Sequence, residues 1–158
     1  MTIDLFLGLL AFVTVATITP GPNNIMVMAS GANFGFSRTL PHIFGIMGGF
    51  TTMVAVVGLG LGRVFTAVPE LEVAMRFVAF AFLIYLAWKI ARSAPPKQGD
   101  TGALPLTLWQ AVAFQWVNPK AWAMALSAHA VYAPGGAVWA ALLVAMAFGI
   151  VSVPCVSL

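Results

Sequence analysis

From Leu5 to Ser37 the chain runs 33 residues without a formal charge, and inside that run stands Thr19-Pro20-Gly21-Pro22-Asn23-Asn24. A stretch of this length exceeds the ~20 apolar helical residues that cross a hydrocarbon core about 30 Å thick. Its centre cannot be regular helix, because two prolines remove two backbone donors and exclude the carbonyls of the preceding turn. Ile3 to about Ser30 therefore reads as one membrane span with a break in it, followed by a turn over Gly31–Gly35.

The remaining sequence keeps to the same solvent. Of 158 residues, 61% are apolar and 7% charged, whereas soluble domains carry roughly a quarter charged residues, so a water-facing surface could not be covered. This excludes a cytosolic enzyme, a disordered linker and a nucleic-acid binder; the net charge of +3 comes from seven scattered cations, not one basic face. A single cysteine, Cys155, excludes a disulfide framework and any intramolecular thiol pair. The fold class is an all-α integral membrane protein.

Further spans follow from the charges and breakers. A second runs from about Pro41 to Gly62, between Arg38 and Arg63, and a third from Leu71 to about Ala91, where Arg76 can snorkel. Ser93–Pro105 has the composition of an aqueous loop. A fourth span, about Leu106 to Tyr132, is interrupted at Asn118-Pro119-Lys120; Ala133–Gly136 makes a tight turn, and a fifth span covers Ala137 to Leu158. The result is one transmembrane domain, 1–158, of five helices with helices 1 and 4 broken. The N-terminus lacks the basic region and cleavage site of a secretory signal. Arg38, Lys89, Arg92 and Lys97 on one side against Arg63 and Arg76 on the other, the latter offset by Glu70 and Glu72, put the N-terminus outside.

In lipid, irregular backbone survives only inside protein or beside a cavity, and broken helices at corresponding positions point to an inverted-repeat transporter. Here the breaks open spans one and four, the leading helices of a 1–93 half and a 106–158 half joined by a 94–105 loop. In the first break Thr19, Asn23 and Asn24 supply polar groups around Pro20, Gly21 and Pro22. In the second, Gln115, Asn118 and Pro119 do the same, and Lys120 adds a cation. Lys120 has two readings, a partner for a substrate carboxylate or a snorkelling interfacial lysine. Gly45, Gly48 and Gly49 in span two read as helix packing, Gly45 and Gly49 at G-x-x-x-G spacing. His42 and His129 read as satisfied interfacial or bundle histidines, with a proton relay as the alternative and His42 the candidate for it. No metal-ligand spacing, catalytic motif or phosphate-cradling loop is present, so no catalytic residue, metal or cofactor is expected.

Thr19–Asn24, the glycine-rich second span, Tyr85–Ser93 (YLAWKIARS) and Gln115–Trp122 (QWVNPKAW) together resemble the LysE/RhtB family of amino-acid exporters over essentially the whole chain, nearest the branch with cysteine and O-acetylserine exporters. The resemblance implies efflux of small amino acids or derivatives across the inner membrane, driven by the proton gradient, with no cofactor. It implies a six-helix, three-plus-three inverted repeat whose central site is formed by Thr19–Asn24 and Asn118–Lys120. Expected partners are the amino-acid substrate and membrane lipid, with a homodimer open as an assembly. Against the family pattern the sixth helix is absent, so a C-terminally truncated chain is expected, and a non-transporting membrane component is the alternative reading.

Overall fold

The computed structural model describes residues 1–61, 67, 68, 70, 73, 74, 77, 81, 84 and 105–157, and every regular element among them is a helix. Helix α1 (Ile3–Ile18) starts where the Thr2 hydroxyl accepts from the Leu5 amide at 3.3 Å, with Asp4 in the first turn facing the positive end of the helix. It stops before Pro20, which has no N–H to continue the ladder. Helix α2 (Pro22–Phe34) restarts with proline at its first position, where the missing donor costs nothing, and leaves α1 at a bend of 54°.

The expected turn over Gly31–Gly35 contracts to Gly35 alone. Its φ of +80° is open to glycine and strained for other residues, so one residue reverses the chain while Gly31 stays helical. Consequently α3 (Phe36–Val56) begins five residues ahead of the expected Pro41. It ends in a wider π turn, Val57–Leu61, in which Gly60 has φ +142°. Helix α4 (Leu108–Gln115) opens on a reciprocal cap: the Thr107 hydroxyl accepts from the Gln110 amide and the Gln110 side chain accepts from the Thr107 amide. Helices α5 (Pro119–Tyr132) and α6 (Val138–Ser157) follow, joined by a turn at Ala133–Gly136 that Gly136 closes onto the Ala133 carbonyl.

Among the described residues Phe36–Leu61 and Val138–Val156 are each long and apolar enough to cross a membrane, and α1 and α2 are so only when taken together, as a broken span or a re-entrant loop. The expected third span and Ser93–Pro105 loop lie largely outside the described residues, as do Arg63, Arg76, Lys89, Arg92 and Lys97. Helix α3 packs along α4 and α6, and α1 along α6 and α5. The α3–α4 seam is close because Gly45 and Gly49 face it: a Cβ on Gly49 would lie 2.7 Å from Val112 Cα, and one on Gly45 2.7 Å from Ala111 Cβ. Gly48, grouped with them in the sequence reading, has open space around it. The core gathers Leu9 and Val13, Phe50, Met53 and Val54, Ala121, Ala125 and Ala128, and Val144 and Phe148, the last edge-on to Phe50 at 5.0 Å. Leu7, Met28, Trp139 and Ile150 point outward, as a lipid-facing rim requires.

Candidate functional site

A helix that stops short leaves its last carbonyls without backbone partners, and in lipid each such group costs several kcal/mol. At the end of α1 side chains answer them. Asn24 Nδ2 donates to the Thr17 and Ile18 carbonyls at 3.2 and 3.4 Å, and Lys120 Nζ donates to the Thr19 carbonyl. The Thr19 hydroxyl is turned back onto the Val15 carbonyl at 2.6 Å. Thr19 and Pro20 are exposed, and of Thr19 it is the carbonyl that meets Lys120.

The second break, Trp116–Asn118, is tightened by amides donating three residues back: Trp116 to Ala113, Val117 to Phe114 and Asn118 to Gln115. Asn118, 2% exposed, then caps α5 by accepting from the Lys120 amide at 3.1 Å. Trp122 Nε1 reaches the Trp116 carbonyl at 2.9 Å and its ring stands edge-on to that of Trp116, which pins the turn.

The two breaks meet. Asn23 Nδ2 donates to Gln115 Oε1 at 2.8 Å and Gln115 Nε2 returns a bond to Asn23 Oδ1 at 3.2 Å, while also reaching the Ala111 carbonyl at 3.0 Å. This amide pair joins positions 92 residues apart, with Gln115 fully buried. Beside it Lys120 passes over Gly21. Between them lies a cavity of about 30 Å³, enough for a water molecule or two. From the expected set its lining takes Gly21, Asn23, Asn24, Asn118 and Lys120; Gln115 stands behind Asn23, and Pro20, Pro22 and Pro119 shape the chain around it. Sequence reasoning missed Thr17 on α1, Phe50 on α3 and Ser152 on α6, which join apolar residues such as Ile46, Met124 and Val156 in the rest of the wall. Thr17 closes α1 at the edge of the first break, whereas Phe50 and Ser152 belong to stretches without one, where only the helical face they share with core residues could have marked them.

Two larger hollows flank this constriction, at opposite ends of α3. One, about 430 Å³, is lined by Val27, Met28, Phe36, Thr39, Ile43 and Val156; the other, about 400 Å³, by Val57, Gly58, Leu126, His129, Ala133 and Gly135. The two histidines differ in their surroundings. His129 Nε2 is 2.8 Å from the Val54 carbonyl, which can only accept, so this nitrogen carries the proton and Nδ1 is left buried without a partner. His42 is 1% exposed, and neither ring nitrogen has a hydrogen-bond partner among the described residues. No group of three or more metal-ligating side chains occurs among the described residues.

Residues 14–157 match the family model described as LysE type translocator. Proteins named cysteine/O-acetylserine efflux protein in Escherichia coli (strain K12) and Klebsiella pneumoniae are each 31% identical to the chain, over 123 and 121 residues. The matched part is 76% of this chain and 61% of those relatives, so the chain spans about three-fifths of their length. No solved structure matches. With a model match over nearly all its residues and two interlocked helix breaks at its centre, the chain belongs to the LysE type translocator family.

Proposed function

We propose that the chain carries the central site of a secondary exporter of small amino acids or their derivatives, cysteine and O-acetylserine being the cargoes its relatives suggest. The observation that carries this is the convergence of both breaks on one ammonium. Helix α2 begins beside Lys120 Nζ with no side chain capping its N-terminus, so a cation and the positive end of a helix share one small cavity whose wall is otherwise mostly apolar. That combination favours a carboxylate. Asn23, Asn24 and Asn118 line the same space and suit the polar remainder of an amino acid.

The cavity is too small for that cargo, whereas the hollows at the two ends of α3 are not. A narrow waist between two wider mouths is what alternating access needs in its closed state, and rocking of residues 1–93 against 106–158 would open one mouth at a time. In this reading the protein lies in the inner membrane with its N-terminus outside, and the proton gradient drives efflux. His42, buried and without a partner among the described residues, is the group we assign to carry the proton.

The test is efflux from cells or vesicles loaded with L-cysteine or O-acetyl-L-serine. Lys120→Met is expected to abolish export while the protein still inserts and accumulates. Unchanged efflux from correctly inserted Lys120→Met protein would reject the carboxylate role and favour the interfacial reading of Lys120. In the same vesicles His42→Gln is expected to lose the response to an imposed pH gradient; a retained response would remove His42 from the drive.

A further inference from the structure

Among the contacts that satisfy the end of α1, the one from Lys120 differs in kind. Asn24 belongs to the next helix and sits close in sequence, but Lys120 comes from α5, 101 residues beyond Thr19. It therefore ties the two breaks together across the cavity, with a cation placed at the negative end of α1. The lysine stem reaches that carbonyl only by passing over Gly21. A Cβ there would stand 2.7 Å from Lys120 Cδ and 3.1 Å from Nζ. Gly21 has φ −159° and ψ 179°, extended backbone that any residue adopts. The lysine, not the backbone, is thus what requires a residue without a side chain.

We infer that the Lys120–Thr19 contact is a tether that holds the waist closed in the absence of cargo, that Gly21 is the positioning residue that admits it, and that a cargo carboxylate opens it by taking over the ammonium. The exchange rests on the carboxylate reading of Lys120 given above; the tether and the role of Gly21 do not. A carboxylate is the stronger acceptor, since its bond to an ammonium is charge-assisted on both sides while that of an amide carbonyl is on one. The Thr19 hydroxyl is already committed to Val15 and does not compete.

Thr19-Pro20 is the only Thr-Pro step in the sequence. Labelling threonine with ¹³C at the carbonyl and proline with ¹⁵N thus isolates the Thr19 carbonyl in a carbon–nitrogen correlation spectrum of the full chain in lipid nanodiscs. Without cargo, the Thr19 signal of the wild type is expected to differ from that of Lys120→Ala, and Gly21→Ala is expected to move it to the Lys120→Ala position. In a Lys120→Ala background Gly21→Ala is expected to add nothing. Coincidence of wild type and Lys120→Ala would overturn the tether. A Gly21→Ala shift of the same size in both backgrounds, or no shift at all, would overturn the role of Gly21. An added alanine meets only the flexible end of a lysine, so the variant retains its fold.

Cargo exchange is read by titrating O-acetyl-L-serine while following binding separately by tryptophan fluorescence. Saturation is expected to carry the wild-type signal to the Lys120→Ala position, and the methyl ester, which lacks the carboxylate, is expected to leave it in place. Binding without movement of the signal overturns the exchange. Failure to bind overturns the carboxylate reading and the exchange with it, while the cargo-free comparison of Gly21→Ala still decides the tether.

Discussion

At the scale of single residues, the pair of amides at the centre explains why two helix breaks so far apart in sequence hold one position. Each of Asn23 and Gln115 completes the other, and Gln115 also takes up the Ala111 carbonyl. An interhelical side-chain bond in lipid is worth about 0.6 kcal/mol on average and roughly 1.7 at most. Two bonds in one buried pair are therefore expected to give a coupling of about 1 kcal/mol or more. A double-mutant cycle of Asn23→Leu and Gln115→Leu, read by thermal or denaturant unfolding in one lipid or detergent, measures it. Each single change is expected to strand the other amide, and the double change to cost less than the sum of the two. Strictly additive losses would mean that the pair does not bind the breaks together. Nothing in the sequence announces this partnership, because an amide facing a partner 92 positions away leaves no local pattern.

Helices record more of themselves in the sequence. Both breaks are legible, since proline cannot continue a helix wherever it falls, and the Pro22 and Pro119 starts of α2 and α5 follow from the same chemistry. The turn after α2 is harder to place. Gly31 and Gly35 are alike as letters, and only the backbone shows that Gly35 alone takes the left-handed conformation. Packing along α3 is similarly half visible: the G-x-x-x-G spacing marks Gly45 and Gly49, but their neighbour Gly48 points to open space. This gives a paired expectation. Gly49→Ala forces a methyl against the α4 backbone at Val112, and overpacking of this kind costs about 1–3 kcal/mol. Gly48→Ala meets nothing and is expected to be at least as stable as the wild type. Equal unfolding temperatures for the two variants would contradict the close α3–α4 seam.

Over the whole molecule, the described helices form a bundle with a hollow near each end of α3 and, at its middle, a constriction where Asn23, Asn24, Asn118 and Lys120 meet a mostly apolar wall. Composition alone fixes the membrane class, and the prolines locate the two halves of the constriction. Parts of its wall such as Phe50 and Ser152 emerge only when the helices are assembled, because each is an ordinary residue on an unbroken stretch. Everything about transport here depends on the two breaks meeting within the bundle and forming one site. Asn23→Cys with Gln115→Cys, in a Cys155→Ser background with a protease site inserted near residue 98, tests it in native membranes. Oxidation is expected to join the two fragments after cleavage, and neither thiol to react with a membrane-impermeant maleimide beforehand. Fragments that separate under every oxidising condition, with both thiols open to the maleimide, would contradict it.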